Sequence, residues 1–302
     1  MPHTEKSSIK LVLGTANVGD TAIDPMARYD TPDEVNAFLD VWAKRGYDQI
    51  DSGAAYSPGA PGTSEPRIGA VSAGDKFKID TKTNWFEGHT KESVSRDIDA
   101  SLKILKIEQI NTYYLHVADR KNPPEPAIEA LDQAYREGKI KSWGVSNYRA
   151  DEVQTTIDIC EKHGFVKPSV YQGQYNAIVR GGEKELFPIL RKNGMAFYAY
   201  SAAAGGVYVS LYVKPTIDAA VDKALEVASK YDIGGHAAAL RWTAHHSILN
   251  KQKGDALVVG ASSPEQLESN IDVIEEGPLP DDLAAAFEAV YEEAGDEIKY
   301  HL

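Results

Sequence analysis

Short runs rich in β-branched and aromatic residues alternate with amphipathic stretches along the whole sequence. Eight of these runs are predicted strands: residues 11–15, 49–53, 77–83, 112–117, 141–146, 169–175, 196–201 and 257–261. Between them the apolar residues recur at helical spacing, as Val94, Ile98, Leu102 and Leu105 do within 91–107. Strands that alternate with helices indicate a parallel sheet with crossover helices.

Helix starts follow the same alternation. The residues TPDE at 31–34 predict a capping box with proline at the first helical position, and SPEQ at 263–266 repeats that pattern. Each of these starts precedes an apolar periodic stretch, so both predict a helix that begins directly after its capping residue.

About eight strand–helix units in 302 residues fit a closed (β/α)8 barrel, the TIM barrel of the α/β class. An open doubly wound sheet is the rival arrangement. However, no G-x-G-x-x-G follows the first strand, as a dinucleotide-binding sheet of that kind would need. No linker, composition break or low-complexity segment interrupts the chain, so we predict one domain over residues 1–302.

Composition argues against several classes of protein. A formal net charge of −13, from 32 basic and 45 acidic residues, argues against nucleic acid as a partner, because no run of Lys and Arg offsets it. The single cysteine, Cys160, cannot form an internal disulfide. No stretch has the ~20 apolar residues that span a bilayer, and the first ten residues lack the apolar segment of a secretory signal. We therefore expect a soluble, cytoplasmic protein with no membrane partner and no bound metal.

Polar residues at the ends of successive strands are the candidate catalytic residues, because active sites of such barrels lie where the strands end. Asp51 lies in the second predicted strand, and Tyr56 follows in DSGAAYSPG. Lys82 and His116 lie near the ends of the third and fourth. Taken singly, each has a structural explanation: a turn cap, a surface aromatic, an ion pair, a core histidine. At matching depth in one barrel, the four together favour a catalytic site.

These four side chains suit the protonation of a carbonyl oxygen. A phenol has an ordinary pKa near ~10, and an ammonium beside it lowers that pKa. A carboxylate holds the ammonium charged and in place, and a histidine can hydrogen-bond a substrate carbonyl and orient it. Proton transfer of this kind completes a reduction in which a hydride reaches the carbonyl carbon. The hydride must come from a cofactor, because no side chain supplies one.

Other strand ends carry side chains that could hold such a cofactor. Ser146, Asn147 and Gln172 can hydrogen-bond a carboxamide, and Tyr200 can stack on a nicotinamide ring. After the eighth strand, GASSPEQLESN opens a helix whose backbone N–H groups and dipole attract phosphate, although an ordinary capped helix is the alternative. The remaining candidate cofactor residues are Asp51, Ser201, Ala202, Gly205, Gly206, Ser262, Ser263, Gln266 and Asn270.

Through these motifs the sequence resembles the aldo-keto reductases over nearly the whole chain. The matching segments, in order and at the right spacing, are LGTANVG, IDSGAAYS, DTKTN, YYLHVAD, GKIKSWGVSNY, YQGQYN, FYAYS and GASSPEQLESN. The longer segments YQGQYNAIVRGGEKELFP and SSPEQLESNIDVIEEGPLP are most similar to the aflatoxin-aldehyde-reductase branch. The resemblance implies NADPH-dependent reduction of an aldehyde or ketone to an alcohol, with Tyr56 as the proton donor. It also implies that residues 262–270 hold the 2′-phosphate end of the cofactor.

Two departures from that family bear on the cofactor and the substrate. The element TGKY is missing after strand 7, and the loop that supplies an arginine to the phosphate is much shorter here. Gln266 stands where many members have arginine, but the similar branch also has Gln, so NADP is expected rather than NAD. Arg180 either faces the pocket or forms a surface salt bridge. Trp85, just after Lys82, is the predicted pocket wall. Relatives of this branch often dimerise, so we expect a monomer or a homodimer.

Two other functions stay open at the level of the sequence. A cofactor-sensing binding module with weak turnover would keep the barrel and tolerate the short loop. A barrel hydrolase would need two acids about 5–10 Å apart, but Asp51 is the only obvious acid at a strand end, since Asp119 lies further out in its loop. The small carbonyl substrate is not specified, although Trp85 and an open barrel mouth favour an aromatic or quinone-type carbonyl.

Overall fold

Eight parallel strands follow one another around a closed barrel, in the order in which they occur along the chain. The computed structural model describes residues 7–204 and 212–302. The strands are β1 (Lys10–Gly14), β2 (Gln49–Asp51), β3 (Lys78–Lys82), β4 (Ile110–Leu115), β5 (Ile140–Ser146), β6 (Val170–Gln174), β7 (Ala196–Tyr200) and β8 (Ala256–Val259). The predicted (β/α)8 barrel is confirmed. Most strands end one or two residues earlier than predicted, because those residues already turn into the following loop.

Helices alternate with the strands, as the sequence pattern predicts. They are α1 (Pro32–Lys44), α2 (Ser64–Ala70), α3 (Lys91–Leu105), α4 (Pro124–Arg136), α5 (Ala150–His163), α6 (Gly182–Lys192), α7 (Pro215–Ser229), α8 (Gly235–His245), α9 (Pro264–Glu275) and α10 (Asp281–Ala294). No helix within 7–204 and 212–302 is both long and apolar enough to cross a membrane.

The start of α1 shows how local sequence sets a helix. Thr31 Oγ1 accepts a hydrogen bond from the Glu34 backbone N–H, and the Glu34 carboxylate accepts one from the Thr31 backbone N–H. This is the predicted capping box, and it satisfies two backbone donors that a helix start leaves without partners. The buried face of the same helix carries Val35, Phe38 and Trp42, so the amphipathic period places one face against the core.

The chain divides into two compact units. The larger unit comprises Val12–Tyr171 and Gly260–Leu267, and the smaller comprises the described residues of Met1–Leu11, Gln172–Val259 and Glu268–Leu302. In the larger unit the strand register is continuous from β1 to β5, through the aligned residues Gly14, Asp51, Asp80, Thr112 and Ser142. Because side chains alternate along a strand, Lys82 faces the same side as Asp80 and lies two residues beyond it.

A buried carboxylate organises the smaller unit. Asp255, which precedes β8, is fully buried and accepts hydrogen bonds from the Phe197 backbone N–H at 2.7 Å and the Asn250 backbone N–H at 2.8 Å. The Arg191 guanidinium donates to both of its oxygens, at 2.9 and 2.5 Å. One side chain therefore ties the start of β7, the loop before β8 and the end of α6 together.

We expect Asp255→Ala to lower the free energy of unfolding by about 3 kcal/mol, because two buried backbone donors and one cation lose their acceptor. Urea denaturation followed by circular dichroism measures the loss. The control is Asp40→Ala, which removes an exposed carboxylate 3.5 Å from Lys76 and is expected to cost less than about 1 kcal/mol. Equal losses in the two variants would contradict the role given to Asp255.

Candidate active site

The register of the larger unit brings the predicted catalytic residues to the carboxyl ends of neighbouring strands. Asp51 is the last residue of β2, Lys82 is the last residue of β3, and His116 directly follows β4. Tyr56 lies in the loop after β2 and reaches back to the same point, where its hydroxyl donates to Asp51 Oδ2 at 2.8 Å. The four residues, taken from three consecutive strand ends, meet as the sequence predicts.

Lys82 is the centre of this cluster, and its ammonium is fully buried. Nζ lies 2.7 and 2.6 Å from the two oxygens of Asp51, 2.8 Å from the Ser52 carbonyl oxygen and 2.7 Å from the Tyr56 hydroxyl oxygen. An ammonium has three donors and no acceptor, so each of its N–H groups has a partner here. Asp51 is fully buried as well, so this ion pair is shielded from water.

Several carboxylates surround the Lys82 ammonium. Burial lowers the pKa of Lys82, and the charges of Asp51, Asp80 and Glu65 act in the opposite direction. Asp80 is itself held by the side-chain amides of Gln49 and Asn111, each at 2.6 Å. Nearby negative charge, and not hydration, therefore stabilises the charged form of Lys82.

Glu65 belongs to this environment and was not singled out in the sequence. It lies on α2, is 3 % exposed, and accepts hydrogen bonds from Thr81 Oγ1 at 2.6 Å and Ser101 Oγ at 3.2 Å. Burial raises the pKa of Glu65, against the effect of these two hydroxyl groups. Its position within a short helix carries no pattern that distinguishes it from an exposed helical glutamate.

His116 is neutral in this setting. Burial, and then the positive charge of Lys82, lower the pKa of His116 to about 3. Its ring meets the Tyr56 ring edge to face, with centroids 5.7 Å apart. Nδ1 is buried and has no hydrogen-bond partner among the described residues. A hydrogen on Nδ1 would be a buried donor without an acceptor, so we assign the hydrogen of the neutral ring to Nε2.

The backbone of His116 is braced by side chains that the sequence did not mark. Thr83 Oγ1 accepts from the His116 backbone N–H at 3.1 Å and is 3.0 Å from Nε2 of the buried His89. Asp119 accepts from the His89 backbone N–H at 2.7 Å. Burial raises the pKa of Asp119, but hydrogen bonds from Asn122, His89 and Lys121 bring it down to about 2. Asp119 is thus a loop anchor.

The end of β5 carries two of the predicted cofactor residues. Ser146 and Asn147 are both buried, and Asn147 has a φ of +64°. Asn147 Nδ2 donates to the His116 carbonyl oxygen at 3.0 Å and to Ser146 Oγ at 3.0 Å. The two residues therefore lie beside His116, and Asn147 has a bracing role that the sequence did not reveal.

The start of α9 differs in detail from the predicted cap. Ser263 Oγ accepts from the Gln266 backbone N–H at 3.2 Å, as expected. The Gln266 side chain, however, accepts from the backbone N–H of Ser262 at 2.6 Å and from Ser262 Oγ at 2.7 Å. Gln266 thus reaches one residue further back than a capping box requires, and Ser262 and Gln266 remain exposed at this helix start.

The smaller unit holds other predicted cofactor residues. Gln172 is buried in β6, and Tyr200, which ends β7, is half-buried. Ser201 has a φ of +57°, and its carbonyl oxygen accepts from Asn176 Nδ2 at 2.9 Å. The others are Ala202, whose carbonyl oxygen accepts from Thr243 Oγ1 at 2.8 Å, and Asn270, whose Oδ1 is 2.9 Å from His236 Nε2. Gly205 and Gly206 lie outside the described residues.

Two further predictions concern exposed or charged side chains. Trp85, three residues after Lys82, is 43 % exposed and stacks on Phe86 with ring centroids 4.2 Å apart. The sequence left open whether Arg180 faces the pocket or forms a salt bridge. In the structure its guanidinium forms salt bridges, 2.7 Å from Glu183 and 2.6 Å from Glu288. Arg180 is therefore paired within the smaller unit.

Comparison with known proteins assigns the chain to a family. Residues 10–292 match the model of the aldo/keto reductase family. An aldo-keto reductase of Pseudocercospora fijiensis is 35% identical over 84% of this chain and 96% of its own length. Aflatoxin B1 aldehyde reductase member 2 of Homo sapiens is 36% identical over 91% of this chain and 84% of its own length. The chain therefore belongs to the aldo/keto reductase family, oxidoreductases that act on carbonyl groups with a nicotinamide cofactor.

Proposed function

We propose that this protein reduces an aldehyde or ketone to an alcohol with NADPH, and that Tyr56 donates the proton. The observation that supports this most directly is the position of the Tyr56 hydroxyl. It accepts from the Lys82 ammonium at 2.7 Å and donates to the Asp51 carboxylate at 2.8 Å. A phenol held in this way already has a cation in place for the charge that it would acquire on giving up its proton.

The Lys82 ammonium stabilises the phenolate that proton transfer leaves behind. Asp51 holds that ammonium through both oxygens, and the Ser52 carbonyl occupies a third direction. Nζ therefore cannot turn away from Tyr56 without breaking a buried hydrogen bond. In a site from which water is excluded, such a preorganised charge acts more strongly than it would in solvent.

His116 orients the substrate carbonyl. As a neutral ring with its hydrogen on Nε2, it can donate to the carbonyl oxygen without adding a second positive charge beside Lys82. Its low pKa, caused by burial and by Lys82, keeps it in that form. Trp85, exposed three residues after the end of β3, is a candidate wall for the rest of the substrate, whose class is a small carbonyl compound.

The donor set beside His116 fits the nicotinamide end of the cofactor. Ser146 and Asn147 present a hydroxyl and an amide at the end of β5, the groups that pair with a carboxamide. When bound, the cofactor supplies a hydride to the carbonyl carbon. The roles of Gln172, Tyr200, Ser201, Ala202, Gly205, Gly206, Ser262, Ser263, Gln266 and Asn270 as further cofactor contacts stay predictions, as does a single domain spanning the chain.

We expect Tyr56→Phe to lower kcat about 10²- to 10⁴-fold, the contribution of a general acid, with NADPH affinity unchanged. Stopped-flow or steady-state oxidation of NADPH with 4-nitrobenzaldehyde measures kcat, and quenching of protein fluorescence measures affinity. Tyr135→Phe, which removes a hydroxyl from an exposed tyrosine, is the matched control. Equal rates for wild type and Tyr56→Phe would exclude the mechanism. NADPH binding without turnover in wild type would instead support a cofactor-sensing binding module.

The pH dependence follows from two pKa shifts. His116 has a pKa of about 3 instead of 6.5, so it stays neutral and produces no acid limb in kcat/KM between pH 5 and 8. Burial lowers the pKa of Lys82, so kcat/KM falls as the ammonium is lost, at a pH below its ordinary 10.5. An acid limb near pH 6.5 that disappears in His116→Asn would contradict this assignment.

The cofactor preference is tested at the start of α9. We expect Gln266→Arg to tighten NADPH binding by about fivefold and to leave NADH binding unchanged, since an exposed charge pair contributes at most about 1 kcal/mol. Fluorescence titration with both cofactors gives the two affinities. Gln133→Arg adds the same charge on α4, away from this helix start, and serves as control. Tighter binding of both cofactors to the same degree would place the 2′-phosphate elsewhere.

A further inference from the structure

Ser57, the residue after Tyr56, has an unusual backbone conformation. Its φ is +68°, in the left-handed region that favours glycine. A residue other than glycine disfavours this region about tenfold to a hundredfold, so the surrounding structure must impose the conformation on Ser57. Ser57 is fully buried, and its carbonyl oxygen accepts from the Ala60 backbone N–H at 2.9 Å. The chain therefore makes a strained turn immediately after the proposed proton donor.

A buried carboxylate from a different loop holds this turn. Asp24 is 1 % exposed, and its Oδ2 accepts from Ser57 Oγ at 2.7 Å. Its Oδ1 accepts from the Met26 backbone N–H at 2.9 Å, and the Gly59 backbone N–H also donates to this carboxylate. Although burial raises the pKa of Asp24, the donors from Met26, Ser57 and Gly59 leave it below its ordinary value. Asp24 is therefore an ionised anchor that accepts from its own loop, at Met26, and from two residues of the turn that follows Tyr56, Ser57 and Gly59.

Close packing removes the space for another conformation of Ser57. A Cβ added to Gly19 would lie 2.2 Å from Ser57 Oγ and 2.4 Å from Ser57 Cβ, so the Gly19 backbone rests directly on this side chain. The Gly19 backbone N–H donates to Tyr29 O at 3.0 Å and so joins the two ends of the loop that carries Asp24. Within that loop the Asp24 backbone N–H donates to Asp20 O at 2.8 Å. Asp24 is therefore held by bonds that do not involve the Ser57 turn.

We propose that Asp24 is a positioning residue for the reaction: it locks Ser57 in the left-handed conformation and thereby holds the Tyr56 hydroxyl between Lys82 and Asp51. This assignment rests on the proton-donor role proposed for Tyr56. The side chain of Asp24 bonds Ser57, Met26 and Gly59 and not the phenol. Its effect on the reaction therefore passes through the backbone of the turn that follows Tyr56.

A comparison of alanine with glycine at position 57 distinguishes a role of Asp24 in positioning Tyr56 from a role in stability alone. Ser57→Ala and Ser57→Gly both remove the hydroxyl, but only glycine adopts φ near +68° without strain. We expect kcat to fall about tenfold in Ser57→Ala and in Asp24→Ala, since a small misplacement of a reacting group is costly. We expect kcat within about threefold of wild type in Ser57→Gly and in the double variant Asp24→Ala/Ser57→Gly. The KM for NADPH stays unchanged in all four.

Two measurements keep this proposal distinct from the proposed function. The first is kcat and KM for NADPH oxidation with 4-nitrobenzaldehyde, with the exposed Asp33→Ala as control. The second is amide hydrogen exchange of the peptide covering residues 53–60, which does not depend on turnover. The exchange rate of this peptide is expected to rise in Asp24→Ala and in Ser57→Ala, and to return to the wild-type rate in the double variant. Inactive wild type would sink the proposed reduction, while the exchange pattern would still report on the anchor.

Three results would overturn the role of Asp24. The first is unchanged exchange at 53–60 in Asp24→Ala, because no lock would then exist. The second is equal kcat in Ser57→Ala and Ser57→Gly, a comparison that holds even where Asp24→Ala fails to fold. The third is failure of glycine at position 57 to restore kcat in the double variant, which would give Asp24 a role in stability alone.

Discussion

The rest of the site depends on the hydrogen bonds that the buried Lys82 ammonium makes. A cation that is fully buried loses its hydration, and the loss is tolerated only when every donor finds an acceptor and a negative charge lies close by. Asp51, the Ser52 carbonyl and the Tyr56 hydroxyl meet those needs at 2.6 to 2.8 Å. The β2–β3 register, which pairs Asp51 with Asp80 two residues before Lys82, makes this geometry possible. The register of these two neighbouring strands thus brings Asp51 and Lys82 together.

The environment of that cation disfavours a second positive charge. Burial, and then the positive charge of Lys82, lower the pKa of His116 to about 3, so the ring shifts toward its neutral form. A protonated His116 would face Lys82 in a medium of low dielectric, where like charges repel strongly. Keeping His116 neutral leaves Lys82 as the cation beside Tyr56. Positive charge beside the proposed proton donor therefore comes from a residue whose protonation state the proposed reaction does not change.

The hydrophobic periodicity of the sequence predicted those features of the structure that follow from regular strands and helices. The eight strands, the cap at Thr31 and Glu34, and the strand-end positions of Asp51, Lys82 and His116 all follow from alternation and from the rule that parallel strands end on one face. The side-chain hydrogen bonds that join one loop to another could not be predicted in this way. Asn147 reaches His116 across 31 positions of sequence, and Ser57 reaches Asp24 across 33. Loop residues carry no period, so a polar side chain there does not reveal its partner. The Gln266 side chain, which accepts from the backbone N–H of Ser262 instead of that of Ser263, shows the same limit at a helix start.

Left-handed residues recur where strands give way to loops. Asn147 directly follows Ser146 at the end of β5 and has a φ of +64°, and Ser201 directly follows β7 with a φ of +57°. Each is tied by an asparagine amide: Asn147 Nδ2 donates to the His116 carbonyl, and Asn176 Nδ2 donates to the Ser201 carbonyl. Ser57 is tied by a carboxylate. A left-handed residue turns the chain sharply, which keeps neighbouring side chains at the strand end instead of carrying them outward with the loop. Glycine would make these turns without strain, but it could not offer the side-chain bonds that Ser57 makes to Asp24 and Asn147 makes to the His116 carbonyl.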